Sequence, residues 1–308
     1  MTFLFLDGGA LAELVPIELA IEALEAAFTG EVPDAVPRVH VPVGEATLLL
    51  MPAAGPQGAG VKLVTVNPAN PARGRPLIHA LYTLLDPDSL EPLALIDGAE
   101  LTAIRTAAVS GVATRRLARS GARHLVLFGA GVQARSHLAA MRAVCPIEKV
   151  TVVSRSVERA ADLVRRARAG GIESELGDPR AIRDGDVVCT CTTSPVPVFD
   201  GELLPPGCHV NAIGSYQPHT REVDDRTVAQ ARVVVESRRA AWAEAGDLLI
   251  PLEGGSIAES HVVADLHELV TGAPVRLSDD DVTLFKSVGL AFEDLVLARL
   301  AFDRSTSS

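Results

Sequence analysis

The spacing of apolar residues along this chain changes several times, and each change marks a different kind of element. Between Pro16 and Gly30, the residues Ile17, Ile21, Leu24 and Phe28 recur at helical spacing, and the bracketing proline and glycine predict an amphipathic helix. From Val36 to Asp97 the apolar residues come in short runs, Ala46–Met51, Val61–Val66, Leu77–Leu85 and Leu93–Ile96, separated by Gly, Pro, Asn and Asp. That grammar predicts an antiparallel sheet. A helix is expected from about Ala99 to Ala118, with Leu101, Ile104, Ala108 and Val112 on one stripe. Beyond Ser120-Gly121, the β-rich runs His124–Phe128, Val150–Val153, Val187–Cys191, Val210–Ile213 and Val233–Val235 alternate with helical stretches, the signature of a parallel sheet with crossover helices. The segment from Asp281 to about Asp303 sets Phe285, Val288, Phe292, Leu295 and Phe302 on one helical face and is expected to return to the first domain.

The predicted class is therefore α/β. A Rossmann-type doubly wound domain over residues 119–279 is inserted into an α+β domain made of residues 1–118 and 280–308, and the cleft between domains is the expected ligand site. The polar Ser305–Ser308 tail is expected to fray.

A chain of 308 residues with 48% hydrophobic content can bury the cores of two domains. With 39 acidic against 28 basic residues and a net charge of −11, it repels nucleic acid and anionic membrane, and no basic run offsets this. No basic leader is visible, and Asp7 and Glu13 interrupt the first apolar run, so a soluble cytoplasmic protein is expected. The cysteines, Cys145, Cys189, Cys191 and Cys208, lack the spacing of a zinc site, and no metal is expected. Only Lys62, Lys149 and Lys286 among the cations are lysines. A lysine in so arginine-rich a background is either a chance survivor or a place that needs a compact, titratable ammonium.

The run His124–Phe128 leads straight into Gly129-Ala130-Gly131-Val132-Gln133-Ala134, a G-x-G-x-x-A turn that opens a helix. Such a turn brings backbone close to a pyrophosphate and points helix N–H groups at it. The end of the next strand carries Ser154-Arg155-Ser156, where an NAD-binding chain has an acidic residue for the ribose hydroxyls. Hydroxyls and a guanidinium suit the 2′-phosphate of NADP, so NADPH is the expected cofactor, with an ordinary solvated loop as the alternative. Thr192-Thr193-Ser194 and Ile213-Gly214-Ser215 end later strands and either line the nicotinamide half or cap helices.

In the first domain, alternation through Val61–Val66 places Lys62 beside Val64 and Val66 on a half-buried face. A lysine there needs an anion or a task, unless the strand is an edge or its second face is solvated. Arg38 and Arg105 each read singly as surface arginines, but with Lys62 they form a candidate carboxylate clamp. His79 either touches the same pocket or is structural.

The segments Val61-Lys62-Leu63-Val64-Thr65, Asp97-Gly98 through Ile104-Arg105-Thr106-Ala107-Ala108, Gly129-Ala130-Gly131-Val132-Gln133, Asn211-Ala212-Ile213-Gly214, Ala245-Gly246-Asp247 and Phe285-Lys286-Ser287-Val288-Gly289 occur in the order seen in the ornithine cyclodeaminase and mu-crystallin family, which the chain resembles over nearly its whole length. The resemblance implies a homodimer built through the N-terminal sheet. It implies that Arg38, Lys62 and Arg105 bind a substrate carboxylate, with Lys62 also near the reacting nitrogen. It implies cofactor contacts from Arg105, Thr106, Gly129, Gly131, Val132, Gln133, Ser154, Arg155, Ser156, Thr192, Thr193, Ser194, Ile213 and Ser287. The cyclodeaminase branch has an aspartate two residues beyond the glycine that matches Gly214, and here that residue is Tyr216. The expected reaction is accordingly NADPH-dependent reduction of a small imine bearing an adjacent carboxylate, such as a pyrroline or piperideine 2-carboxylate, to an amino acid. Its rivals are a cyclodeaminase-type lyase, an alanine dehydrogenase-type enzyme and a non-enzymatic NADPH-dependent binding protein.

Overall fold

The computed structural model describes residues 4–34 and 36–307; residues 1–3, 35 and 308 lie outside the described residues. The chain divides into two compact units, one formed by Met1–Arg105 with Leu290–Ser308 and the other by Thr106–Gly289.

The first unit runs through β1 (Leu4–Leu6), α1 (Gly8–Leu14), α2 (Ile17–Thr29), β2 (Val39–Val43), β3 (Ala46–Gly55), β4 (Gly58–Val66), β5 (Ile78–Leu85) and β6 (Pro92–Asp97), and then enters α3 (Gly98–Leu117), within which the division falls. Its sheet has the order β1-β6-β5-β4-β3-β2, antiparallel except for β1 alongside β6. Register decides which side chains share a face. Met51, Lys62 and Tyr82 stand opposite one another across β3, β4 and β5, as do Leu49, Val64 and Ala80. Leu50, Leu63 and Leu81 line the other face, joined by Val39 of the edge strand β2. Both faces therefore read apolar, whereas a one-sided sheet would alternate apolar with polar.

The second unit continues with β7 (His124–Phe128), α4 (Val132–Val144), β8 (Lys149–Val153), α5 (Val157–Ala169), β9 (Glu173–Leu176), β10 (Val187–Thr190), β11 (His209–Ala212), α6 (Asp225–Gln230), β12 (Arg232–Val235), α7 (Arg238–Glu244), α8 (Gly246–Glu253), β13 (Val262–Asp265), α9 (Leu266–Val270) and β14 (Thr283–Lys286). Every pairing in its sheet is parallel, in the order β13-β12-β14-β11-β10-β7-β8-β9. Val126, Val188, Val210, Val233 and Leu284 from five of these strands meet in one core. The strand order reverses between β7 and β10, and a Rossmann-type sheet binds its ligand at the carboxyl ends beside such a switch. No helix among the described residues is long and apolar enough to cross a membrane.

The last stretch of chain corrects the sequence reading. Residues 281–303 are not one helix: Thr283–Lys286 forms β14, inserted between β12 and β11, and α10 (Ala291–Thr306) begins only afterwards. A short strand buried on both faces has no polar alternation, and Phe285 and Val288 happen to fall in helical phase with Phe292. The expected domain boundary at 279/280 moves with it, because β14 is a central strand of the second unit; the earlier boundary, expected at 118/119, falls at Arg105/Thr106. The tail is helical through Thr306. α10 packs on β3, β4 and β5 of the first unit and on α2, where Phe28 meets Phe292 edge to face at 5.8 Å.

Candidate active site

Lys62 lies on a central strand of the first unit and is 1% exposed, so neither the edge-strand nor the solvated-face reading holds. An ammonium so placed needs a counter-charge, and α10 supplies it. Lys62 Nζ donates to both oxygens of Asp294, at 2.8 and 2.7 Å, and to Thr102 Oγ1 at 3.1 Å. Arg105 pairs with Glu293 at 3.1 Å and approaches Asp294 at 3.5 Å. Both carboxylates stand in the first turn of α10, where the helix dipole favours negative charge. Tyr82 is fully buried on the same face, its hydroxyl has no hydrogen-bond partner among the described residues, and burial holds its pKa well above the ordinary value.

Burial lowers Lys62 to about 8 despite Asp294, and the fields of Arg105 and Arg38 act in the same direction. Lys62 and Arg105 both approach Asp294, and Arg38 is near enough for its charge to act on Lys62. Their two acidic companions were not anticipated. His79 is not brought to this site. Its register partner is Thr65, so it lies on the opposite face of the sheet from Lys62, exposed to solvent.

In the second unit, the turn after β7 has the shape that a dinucleotide requires. Gly129 sits at φ +105°, and a side chain there would strike the Cys191 carbonyl. Gly131 is different: its backbone is extended, and a Cβ would meet nothing within 4 Å. Protein packing does not explain that glycine, whereas close approach of a pyrophosphate does. α4 starts at Val132 with no side-chain cap, which leaves its first N–H groups to an anion. Gln133 follows Val132 in that first turn, and its carbonyl accepts from the ring of His137 at 2.8 Å. Thr106 is buried, and its hydroxyl has no partner among the described residues. Arg155 is exposed after β8, between Ser154 and Ser156. Ser156 is the N-cap of α5, and Ser154 accepts from its N–H at 3.2 Å.

Several of the strand-end hydroxyls have partners within the protein. Thr192 gives both its N–H, at 2.7 Å, and its hydroxyl, at 2.6 Å, to Glu222. Ser194 Oγ donates to the Val196 carbonyl at 2.6 Å, and Thr193 is exposed. Ser287 is buried and donates to Glu236, which also receives the N–H groups of Val288 and Gly289. Ile213 is buried. The hydroxyls of Thr192, Ser194 and Ser287 shape the loops from within, because each faces a buried acid or a nearby carbonyl.

Glu222 also accepts from Thr190 Oγ1 at 2.8 Å and Gly214 N at 2.6 Å, tying the ends of β10 and β11 together. Burial, then the neighbouring Asp247, raises its pKa. Asp247 accepts the N–H groups of Glu222 and Val223 and pairs with Lys286 at 2.7 Å; Lys286 in turn donates to the carbonyls of Ala212 and Ser215. Sequence reasoning gave Glu222 no role. Its partners Asp247 and Lys286 lie in segments that carried the resemblance, which were the available signal.

Residues 8–308 match the model of the ornithine cyclodeaminase/mu-crystallin family. The chain belongs to that family. It is 40% identical over 271 residues to the Delta(1)-pyrroline-2-carboxylate reductase of Bacillus cereus, covering 84% of this chain and 82% of that one. The Delta(1)-pyrroline-2-carboxylate reductase of Thermococcus litoralis, solved with NADH and L-proline, superposes with a TM-score of 0.94 at 35% identity and covers 99% of this chain and 98% of that one. An archaeal alanine dehydrogenase dimer with bound NAD gives a TM-score of 0.92 at 31% identity, covering 100% of this chain and 97% of that one.

Proposed function

We propose that this family member is an NADPH-dependent reductase of a cyclic imine carrying a carboxylate beside the C=N bond, with 1-pyrroline-2-carboxylate or 1-piperideine-2-carboxylate as substrate and a cyclic amino acid as product. The observation that carries the reading is the buried Lys62 in the field of Arg38 and Arg105. Three cations stand against the two acids Glu293 and Asp294, so these five groups sum to one positive charge, which suits a monocarboxylate. Arg38 and Arg105 hold the carboxylate, and Lys62 faces the imine nitrogen.

The Gly129–Gln133 turn and the uncapped start of α4 fit a dinucleotide pyrophosphate. Arg155 fits a 2′-phosphate, which is the basis for preferring NADPH, although the two solved relatives carry NADH and NAD. When bound, the reduced nicotinamide supplies the hydride that adds to the imine carbon. Tyr216 packs against the apolar core of the second unit and supplies no carboxylate, which argues against the lyase branch. The exposed apolar face of the first sheet, with Val39 at 49%, Val41 at 38% and Val43 at 59% on its edge strand, fits a homodimer.

The test is NADPH oxidation at 340 nm across cyclic imine 2-carboxylates and 2-oxo acids with ammonia, beside L-ornithine incubated with catalytic NAD. Imine reduction without ammonia release from ornithine is the expected result. Stoichiometric proline and ammonia from ornithine would overturn it.

A further inference from the structure

Lys62 has a titratable proton, but burial among arginines works against keeping it. The charged or titratable groups that face it are Arg38 ahead of β2, Tyr82 on β5, Arg105 on α3, and Glu293 and Asp294 on α10. Tyr82 stays neutral, since burial holds its proton on. The two arginines oppose a third cation. Glu293 engages Arg105. Asp294 touches Lys62 through both oxygens.

We propose that Asp294 is the positioning residue that holds Lys62 as an ammonium, so that Lys62 can donate a proton to the substrate nitrogen while hydride adds to the neighbouring carbon. The proposal rests on the reductase reading above. The C=N π bond breaks: the carbon gains hydride from the reduced nicotinamide, which is oxidised, and the nitrogen takes the proton from Lys62 Nζ. Lys62 is left as the neutral amine and regains its proton from water. Asp294 transfers nothing; it lies against the lysine as a fixed counter-charge.

The sign of the pH effect follows from the acid role. Activity requires protonated Lys62, so kcat/KM falls as pH rises through the pKa of Lys62, about 8 in the intact protein. Removing the negative charge of Asp294 takes away the interaction that opposes desolvation. In Asp294→Asn the alkaline limb of kcat/KM should therefore move down by about one to three pH units, the usual effect of one charge at contact distance. Asp294→Glu keeps the charge, and its limb should stay near the wild-type position.

A second readout does not depend on turnover. The chain contains only three lysines, so protein labelled with ε-13C-lysine gives three resonances, assignable with Lys149→Arg and Lys62→Gln variants. The Lys62 resonance should titrate in the wild type at the midpoint of the kinetic limb and shift downward with it in Asp294→Asn. A Lys62 midpoint unmoved in Asp294→Asn, a shift as large in Asp294→Glu, or a wild-type midpoint that disagrees with the kinetic limb would each overturn the proposal. Absence of imine reduction by the wild type would overturn the reading beneath it, and the resonance would then decide the Asp294 pairing by itself.

Discussion

Replacing Lys286 with methionine isolates what one buried ammonium contributes to the second unit. The side chain is 1% exposed, pairs with Asp247 at 2.7 Å and donates to two carbonyls, from Ala212 at 3.2 Å and Ser215 at 2.6 Å. Methionine fills nearly the same volume, so the cavity term is small and the electrostatic term dominates. Breaking a buried pair by removing one partner costs about 3–5 kcal/mol, because the other charge stays buried without compensation. In a unit of this size each kcal/mol lowers the melting temperature by about 2–4 °C, which gives a fall of about 6–20 °C by calorimetry. The loss should depend on pH. Without Lys286, Asp247 and the already perturbed Glu222 face each other, and protonation relieves that repulsion. The folded state then binds a proton that the unfolded state releases, so stability falls as pH rises and the penalty at pH 8 exceeds that at pH 5.5. A fall of less than about 3 °C at pH 8, or a penalty that grows on acidification, would refute the reasoning.

Lys62→Ala should lower kcat/KM for the imine by about 100-fold or more, about 2.7 kcal/mol of transition-state stabilisation, while the cofactor Kd measured by fluorescence stays the same. Arg155→Ala should raise KM for NADPH by about 10- to 100-fold, the loss of one charge-assisted contact, and leave NADH unaffected; equal losses would place Arg155 outside the 2′-phosphate site. Burial lowers His137 to about 4 and His209 to about 3, so the folded state refuses protons that the unfolded state accepts near pH 6.5. Stability to urea should then be full above pH 6.5 and fall on acidification by up to about 1.4 kcal/mol per pH unit for each histidine, and a flat profile between pH 6.5 and 5 would contradict this.

What was legible in the sequence was local. The G-x-G turn, the helix bracketed by Pro16 and Gly30, and the alternation that buries Lys62 each depend on neighbours a few residues apart. Asp294 was not legible, because it meets Lys62 across 232 positions and its place in an amphipathic helix looks like a solvated one. His79 shows the same limit from the other side: its own strand was recognisable, but which face it shares with Lys62 is set by the register between β4 and β5. The resemblance led to Ser287, yet composition carries no information on whether a hydroxyl points toward a ligand or toward Glu236. β14 was hidden because its environment, between two strands far away in the chain, leaves no periodic trace.

The position of β14 also governs when the protein can fold during synthesis. Its neighbours β11 and β12 have left the ribosome well before Thr283–Lys286 is made, and until then they present open edges to solvent and to other nascent chains. The first sheet waits longer still, since α10, which covers its inner face, comes last. The second unit can therefore close before the first, but neither closes before Thr283–Lys286 is made. A chain halted before Thr283 therefore carries two unfinished cores and should be a substrate for chaperones or proteases rather than a half-active enzyme.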